Sequence, residues 1–140
     1  MRKTRLRLLV AILFAVLVTA GTAGWAGTRA RDFHSGFATP QDTLRTFFES
    51  AQHHDYATTY SCYYQRYRDR VAQQEFINHR NQAATLQSYT LGPISINGDA
   101  AEATATLVFA AGAGNATAAR TIAVREDLVK QADGWKIRVW

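Results

Sequence analysis

Five of the chain's six tyrosines, Tyr56, Tyr60, Tyr63, Tyr64 and Tyr67, fall within twelve consecutive positions. Phenolic hydroxyls at this density can polarise a carbonyl or bond a developing oxyanion. A carboxylate or imidazole beside them would serve as base, and an apolar setting would raise a carboxyl pKa by desolvation. The candidates for such chemistry are Tyr60, Tyr64, His79 and Asp127.

The spacing of the tyrosines limits what they can do. At about 100° per residue a helix over 56–67 would bring all five rings into an arc of about 100°, with Arg66 and Arg68 on its flanks and Cys62 on the far side. A base-stacking platform needs aromatic faces exposed between cations, whereas here rings and cations separate onto different faces. The pattern is that of an amphipathic helix with its rings turned inward, and no nucleic-acid partner is expected. His53 and His54 are adjacent and would point about 100° apart on a helix, so "HHD" makes a poor metal set. Neither metal nor cofactor is expected. Cys62 is the single cysteine, so no internal disulfide can hold the fold.

The charge distribution speaks to location. The 140 residues carry a net charge of +5, but Arg2, Lys3, Arg5 and Arg7 account for most of it. Downstream, 12 basic side chains face 11 acidic ones, a balance of +1. The uncharged run "LLVAILFAVLVTAGTAGWA", residues 8–26, would reach about 28 Å as a helix, close to the thickness of a bilayer's hydrocarbon. The basic tail 1–7 should stay cytoplasmic and direct the remainder outward. The reading taken is a plasma-membrane, single-pass anchor over 8–26, a stalk over 27–38 and an extracytoplasmic domain over 39–140. A cleaved signal peptide, giving a secreted protein, is the other reading.

The elements that must position the candidate residues follow. "TPQD" at 39–42 offers a threonine N-cap, proline at the first helical position and an acid at the third. Leu44, Phe47, Phe48 and Ala51 then form an apolar stripe, and this helix should end near His53. Asp55 caps the tyrosine helix. Residues 71–84 read as a third helix, with Ala72, Phe76, Ile77 and Ala83 toward the core and His79 and Arg80 at the edge of that face. The period then changes to that of strands at 86–96, 100–111, 121–132 and 135–140. With Asn97-Gly98 as a two-residue turn, Ile94 faces Ala101 and Leu86 faces Phe109. With Asp133-Gly134 as the other turn, Asp127 faces Trp140, away from the apolar side of Trp135, Ile137 and Val139. The fold class is α+β: a transmembrane helix, then three helices packed on a curved four-stranded antiparallel sheet.

The stretch "TPQDTLRTFFESAQHHDYATTY" and the closing "LVKQADGWKIRVW" resemble the nuclear transport factor 2-like superfamily, and look most similar to its small bacterial membrane-anchored or secreted members. The resemblance covers residues 39–140 and implies a cone of curved sheet closed by helices. It implies a fold rather than an activity, since isomerases, dehydratases, polyketide cyclases, pocket proteins without catalysis and secretion scaffolds share it. A cavity in such a cone would be lined by Tyr56, Tyr60, Tyr63, Tyr64, Tyr67, Ala103 and Ala105; a filled core, with the small sheet residues letting a helix approach closely, is the other reading. The function expected is a non-catalytic domain at the cell envelope, acting through protein contact, such as a homodimer through the sheet face, or by binding a small apolar ligand. The alternative is a small pocket enzyme of the isomerase, dehydratase or polyketide-cyclase type.

Overall fold

The computed structural model describes residues 36–111 and 118–139. The tail 1–7, the apolar run 8–26 and most of the stalk lie outside these residues, as does Trp140. Among the described residues no helix is long and apolar enough to cross a membrane. The chain runs α1 (Pro40–Gln52), α2 (Tyr56–Ser61), α3 (Gln65–Arg68), α4 (Gln73–Asn81), β1 (Leu86–Asn97), β2 (Ala100–Phe109), β3 (Arg120–Gln131) and β4 (Gly134–Arg138). The strands form one antiparallel sheet in the order β1-β2-β3-β4. The described residues are therefore α+β, with four helices in place of the three expected.

The first helix forms as its sequence dictates. Thr39 caps it by accepting from the Asp42 amide at 3.0 Å, with Pro40 in the first position. At its end His54 takes a left-handed φ of 59°, and the amides of His54 and Asp55 return to the carbonyls of Ala51 and Ser50. This is a Schellman closure with histidine where glycine is usual. The His54 ring is held there by a 2.8 Å hydrogen bond between its Nδ1 and the Tyr56 hydroxyl. Asp55 then caps α2, accepting from both the amide and the hydroxyl of Thr58.

The tyrosine segment departs from the expected single helix. It breaks at Cys62–Tyr64, where the amides of Cys62 and Tyr63 still bond back to α2 but the chain then pairs with β4. The Ile137 amide donates to the Cys62 carbonyl at 2.8 Å and the Tyr64 amide donates to the Ile137 carbonyl at 3.0 Å, forming a parallel bridge at Tyr63. A buried strand edge needs partners for its backbone, and this segment supplies them. The third predicted helix is also shorter than expected: α4 ends at Asn81, and Ala72 and Ala83 are exposed while Phe76 is buried.

The hairpin registers are offset from those predicted. The first turn is Gly98-Asp99, with φ of +60° at Gly98, so Ile94 pairs with Ala103 and not with Ala101. Two irregularities, one across Gly92-Pro93, then restore the expected pairing of Leu86 with Phe109. The second turn is Ala132-Asp133, so Asp127 pairs with Arg138 and not with Trp140. Ala101, Ala103, Ala105 and Leu107 of β2, with Leu128, Trp135 and Ile137, form the buried face on which Leu44, Phe47, Phe48 and Phe76 pack. Val139, expected on that face, is exposed.

Strand β4 gathers the core's polar contacts. The Thr43 hydroxyl donates to the Trp135 carbonyl at 2.9 Å, and the Trp135 amide donates to the Phe37 carbonyl at 2.8 Å. Lys136 is almost wholly buried, donating to the Ser61 carbonyl at 3.1 Å, meeting Asp133 at 3.2 Å and lying 3.4 Å above the Phe37 ring. Phe37 and Gly36, which the sequence placed at the end of the stalk, thus pack on the folded unit, with the Gly36 amide bonded to Thr46.

Candidate functional site

A cavity of about 140 Å³ lies between the helices and the inner sheet face. Its apolar walls come from Phe47, Phe48 and Ala51 of α1 and from Leu86, Leu107 and Phe109 of the sheet, with Ala83 and Ala84 at the rim. Four titratable side chains line it, Tyr56, Tyr63, Arg80 and Glu126, and the last three set its chemistry.

Each is placed by a different device. The break after α2 turns the Tyr63 ring inward, edge-on to Phe47 at 5.4 Å and to Phe76 at 5.6 Å. Arg80 comes from the last turn of α4, with its guanidinium over the Phe76 ring and Nη2 donating to the Tyr63 hydroxyl at 3.2 Å. Glu126 stands on β3 opposite Ala103, whose small side chain leaves the carboxyl among apolar neighbours. Arg80 and Glu126 line the same cavity without closing into an ion pair.

These surroundings tune the site. Burial pushes the Glu126 carboxyl up to about 7; the Arg80 charge opposes this and Asp127 adds to it. Burial likewise pushes the Tyr63 hydroxyl up to about 12, against the pull of Arg80, so it remains a neutral donor. The Tyr56 hydroxyl, also at the cavity, is raised by burial. The arrangement offers a permanent cation, a carboxyl that can hold or release a proton near neutrality, and a phenol.

The residues proposed from the sequence are not assembled in one place. Tyr56 and Tyr63 line the cavity. Tyr60 donates to the carbonyls of Arg68 and Val71, at 3.0 and 2.6 Å, and fastens the loop after α3. Tyr64 donates to the Val139 carbonyl at 2.8 Å on the surface. Tyr67 stacks obliquely on Tyr63, 4.5 Å away. Ala103 and Ala105 are buried in the sheet beneath the helices. His79 is exposed. Asp127 lies on the opposite sheet face from Glu126, 3.7 Å from Arg125.

Sequence reasoning assigned no site role to Glu126, and placed Arg80 only at the edge of a helix face. The signal for Glu126 was present: Ile122, Val124 and Leu128 share its face of β3, and a single acid interrupts that apolar alternation. Arg80 had no comparable signal, because its reach into the cavity depends on where α4 stops.

No protein-family model and no curated protein matches the chain. Solved structures do. A SEC-C motif containing protein from Rhodopseudomonas palustris is similar at 13% identity and a TM-score of 0.62, over 74% of this chain and 78% of that one. A protein named as a calcium/calmodulin-dependent protein kinase type II association domain, from Thiobacillus denitrificans, is similar at 14% identity and a TM-score of 0.55, over 73% and 91%. A protein named as an NTF2-like transpeptidase, from Campylobacter jejuni, is similar at 13% identity and a TM-score of 0.50, over 74% and 100%. At these identities the likeness is one of fold. It supports the α+β reading and includes an NTF2-like structure among the neighbours, as the sequence resemblance implied.

Proposed function

We propose that the chain is a membrane-anchored, extracytoplasmic member of the nuclear transport factor 2-like group, whose cone binds a small, largely apolar molecule without transforming it. The observation that carries this reading is the cavity of about 140 Å³ walled by Phe47, Phe48, Leu86, Leu107 and Phe109. An apolar cavity of about 150 Å³ is large enough to take benzene. Toluene added to the full chain should raise its melting midpoint saturably, and Leu107→Trp should abolish the shift. No shift with toluene would refute the pocket reading. The location rests on residues 1–26: carbonate-washed membranes should retain the full-length chain, with the domain open to external protease. Release of a shorter protein would instead establish a cleaved signal.

A second reading, a small pocket enzyme of isomerase, dehydratase or polyketide-cyclase type, draws support from Glu126. A carboxyl titrating near 7 suits proton transfer at neutral pH, with Tyr63 as hydrogen-bond donor. Solvent-proton exchange at the α-carbon of small cyclic ketones, lost in Glu126→Gln, would favour it over simple binding. Protein contact through the outer sheet face belongs to the first reading. There Arg125 is ion-paired with Glu102 beside Asp127, and sedimentation of the full chain in detergent should show a dimer.

A further inference from the structure

We infer that the pocket's ligand is a small monocarboxylate, its apolar body among Phe47, Phe48 and Leu107 and its carboxylate received by the Arg80 guanidinium and by the Glu126 carboxyl acting as donor. The inference rests on the pocket reading above and names the ligand class.

The charge arrangement selects the anion. Arg80 carries a permanent charge and, beyond its stacking on Phe76, makes one hydrogen bond of 3.2 Å, to a phenol that is itself neutral. Its remaining N–H groups form no ion pair with Glu126, although both side chains line the cavity. A cationic ligand would meet this guanidinium with like charge. A neutral hydrocarbon would leave it without a counter-charge at an apolar wall. A carboxylate matches the planar fork of donors.

The protonated Glu126 carboxyl supplies a further donor to the same anion, and the bound anion in turn holds the proton on Glu126. The groups around Glu126 agree with this. From α4 it is faced by Arg80, from α2 by Tyr56 and from the bridge segment by Tyr63, while α1 contributes only Phe47, Phe48 and Ala51. Across the strand stands Ala103, and Asp127 on the same strand faces the other side. Among the described residues no second fixed cation lines the cavity, so a dianion would be poorly compensated. The volume of about 140 Å³ sets the size at a single ring or a short branched chain.

Binding should therefore weaken as Glu126 loses its proton. The probes are benzoate, benzamide and toluene, titrated calorimetrically into the full-length chain in detergent. At pH 6 benzoate should bind at least about tenfold more tightly than benzamide, the effect of one charge-assisted contact. Between pH 6 and pH 8 its affinity should fall about tenfold, following the fraction of protonated Glu126. Proton uptake, seen as a dependence of the heat on buffer ionisation enthalpy, should accompany binding at pH 8. Toluene should show neither effect. Arg80→Gln should erase the preference for benzoate, and Glu126→Gln should keep benzoate binding while flattening its pH dependence. Benzamide binding as tightly as benzoate, or a wild-type affinity for benzoate indifferent to pH, would overturn the inference. Toluene bound and benzoate excluded would overturn it while the pocket reading stood. Neither bound would overturn both. The wild-type pH profile decides the matter even should a variant misfold.

Discussion

Glu126 stands directly across β2–β3 from Ala103, on the buried face of the sheet, with no hydrogen-bonding side chain opposite it. The burial that raises its carboxyl to about 7 also links folding to protonation. Between about pH 4.5, its ordinary value, and 7 the folded chain keeps a proton that the unfolded chain has released. Stability is thus highest below this window and falls as pH rises through it. After discounting for residual solvent contact the loss is about 1–3 kcal/mol. Urea midpoints between pH 5 and 8 should show this slope, and Glu126→Gln should remove it. A midpoint indifferent to pH in the wild type would contradict the placement of the carboxyl.

Trp135 is buried at the start of β4, and its backbone bonds both Phe37 and Thr43. Trp135→Ala should cost about 3–5 kcal/mol through cavity formation. A melting midpoint close to the wild-type value would count against its core position.

Lys136 and Phe37 should be energetically coupled, because the ammonium lies against the ring with little water between them. Lys136→Met also strips the Ser61 carbonyl of its donor, an effect of about 1–3 kcal/mol. In a double-mutant cycle with Phe37→Ala the interaction should be about 1 kcal/mol. Additive effects would show that the contact contributes nothing to stability.

Cys62 should be inert in the native protein. It is fully buried, its Sγ lies 3.4 Å from the Thr58 carbonyl, and burial pushes its thiol up to about 12. Modification by a thiol-disulfide reagent should proceed only as fast as the domain opens, and should accelerate with urea along the unfolding transition. Immediate reaction in native buffer would show an open segment at 62–64.

The sequence carried the elements better than their joins. Thr39, Pro40 and Asp42 start a helix by local chemistry, and that helix is where those residues place it. The tyrosine stripe has a helical period throughout, yet the helix stops at Ser61 because Ile137, far along the chain, offers backbone partners that no local pattern reveals. Both turns are shifted by one residue from the dipeptides expected to form them, Asn97-Gly98 and Asp133-Gly134. For the second the offset is two residues in the pairing, which preserves the face of every β3 side chain. Asp127 was accordingly legible as outward-facing and Glu126 as its inward neighbour. The tyrosines carried the stronger pattern, yet the hydroxyls of Tyr60 and Tyr64 serve the backbone. Arg80 joins the cavity only through tertiary packing.

The bridge between Tyr63 and Ile137 makes the timing of assembly depend on a strand more than seventy residues downstream. Helix α1, the 62–64 segment and the Phe37 carbonyl all wait for the five residues Gly134–Arg138, a strand synthesised well after them. Contacts spanning so much sequence slow the search for the native arrangement. Until that strand docks, the Thr43 hydroxyl, the Cys62 carbonyl and the Tyr64 amide lack the partners it supplies. A nascent polypeptide halted before residue 134 would consequently present an unpinned 62–64 segment to whatever chaperone or protease it first encounters.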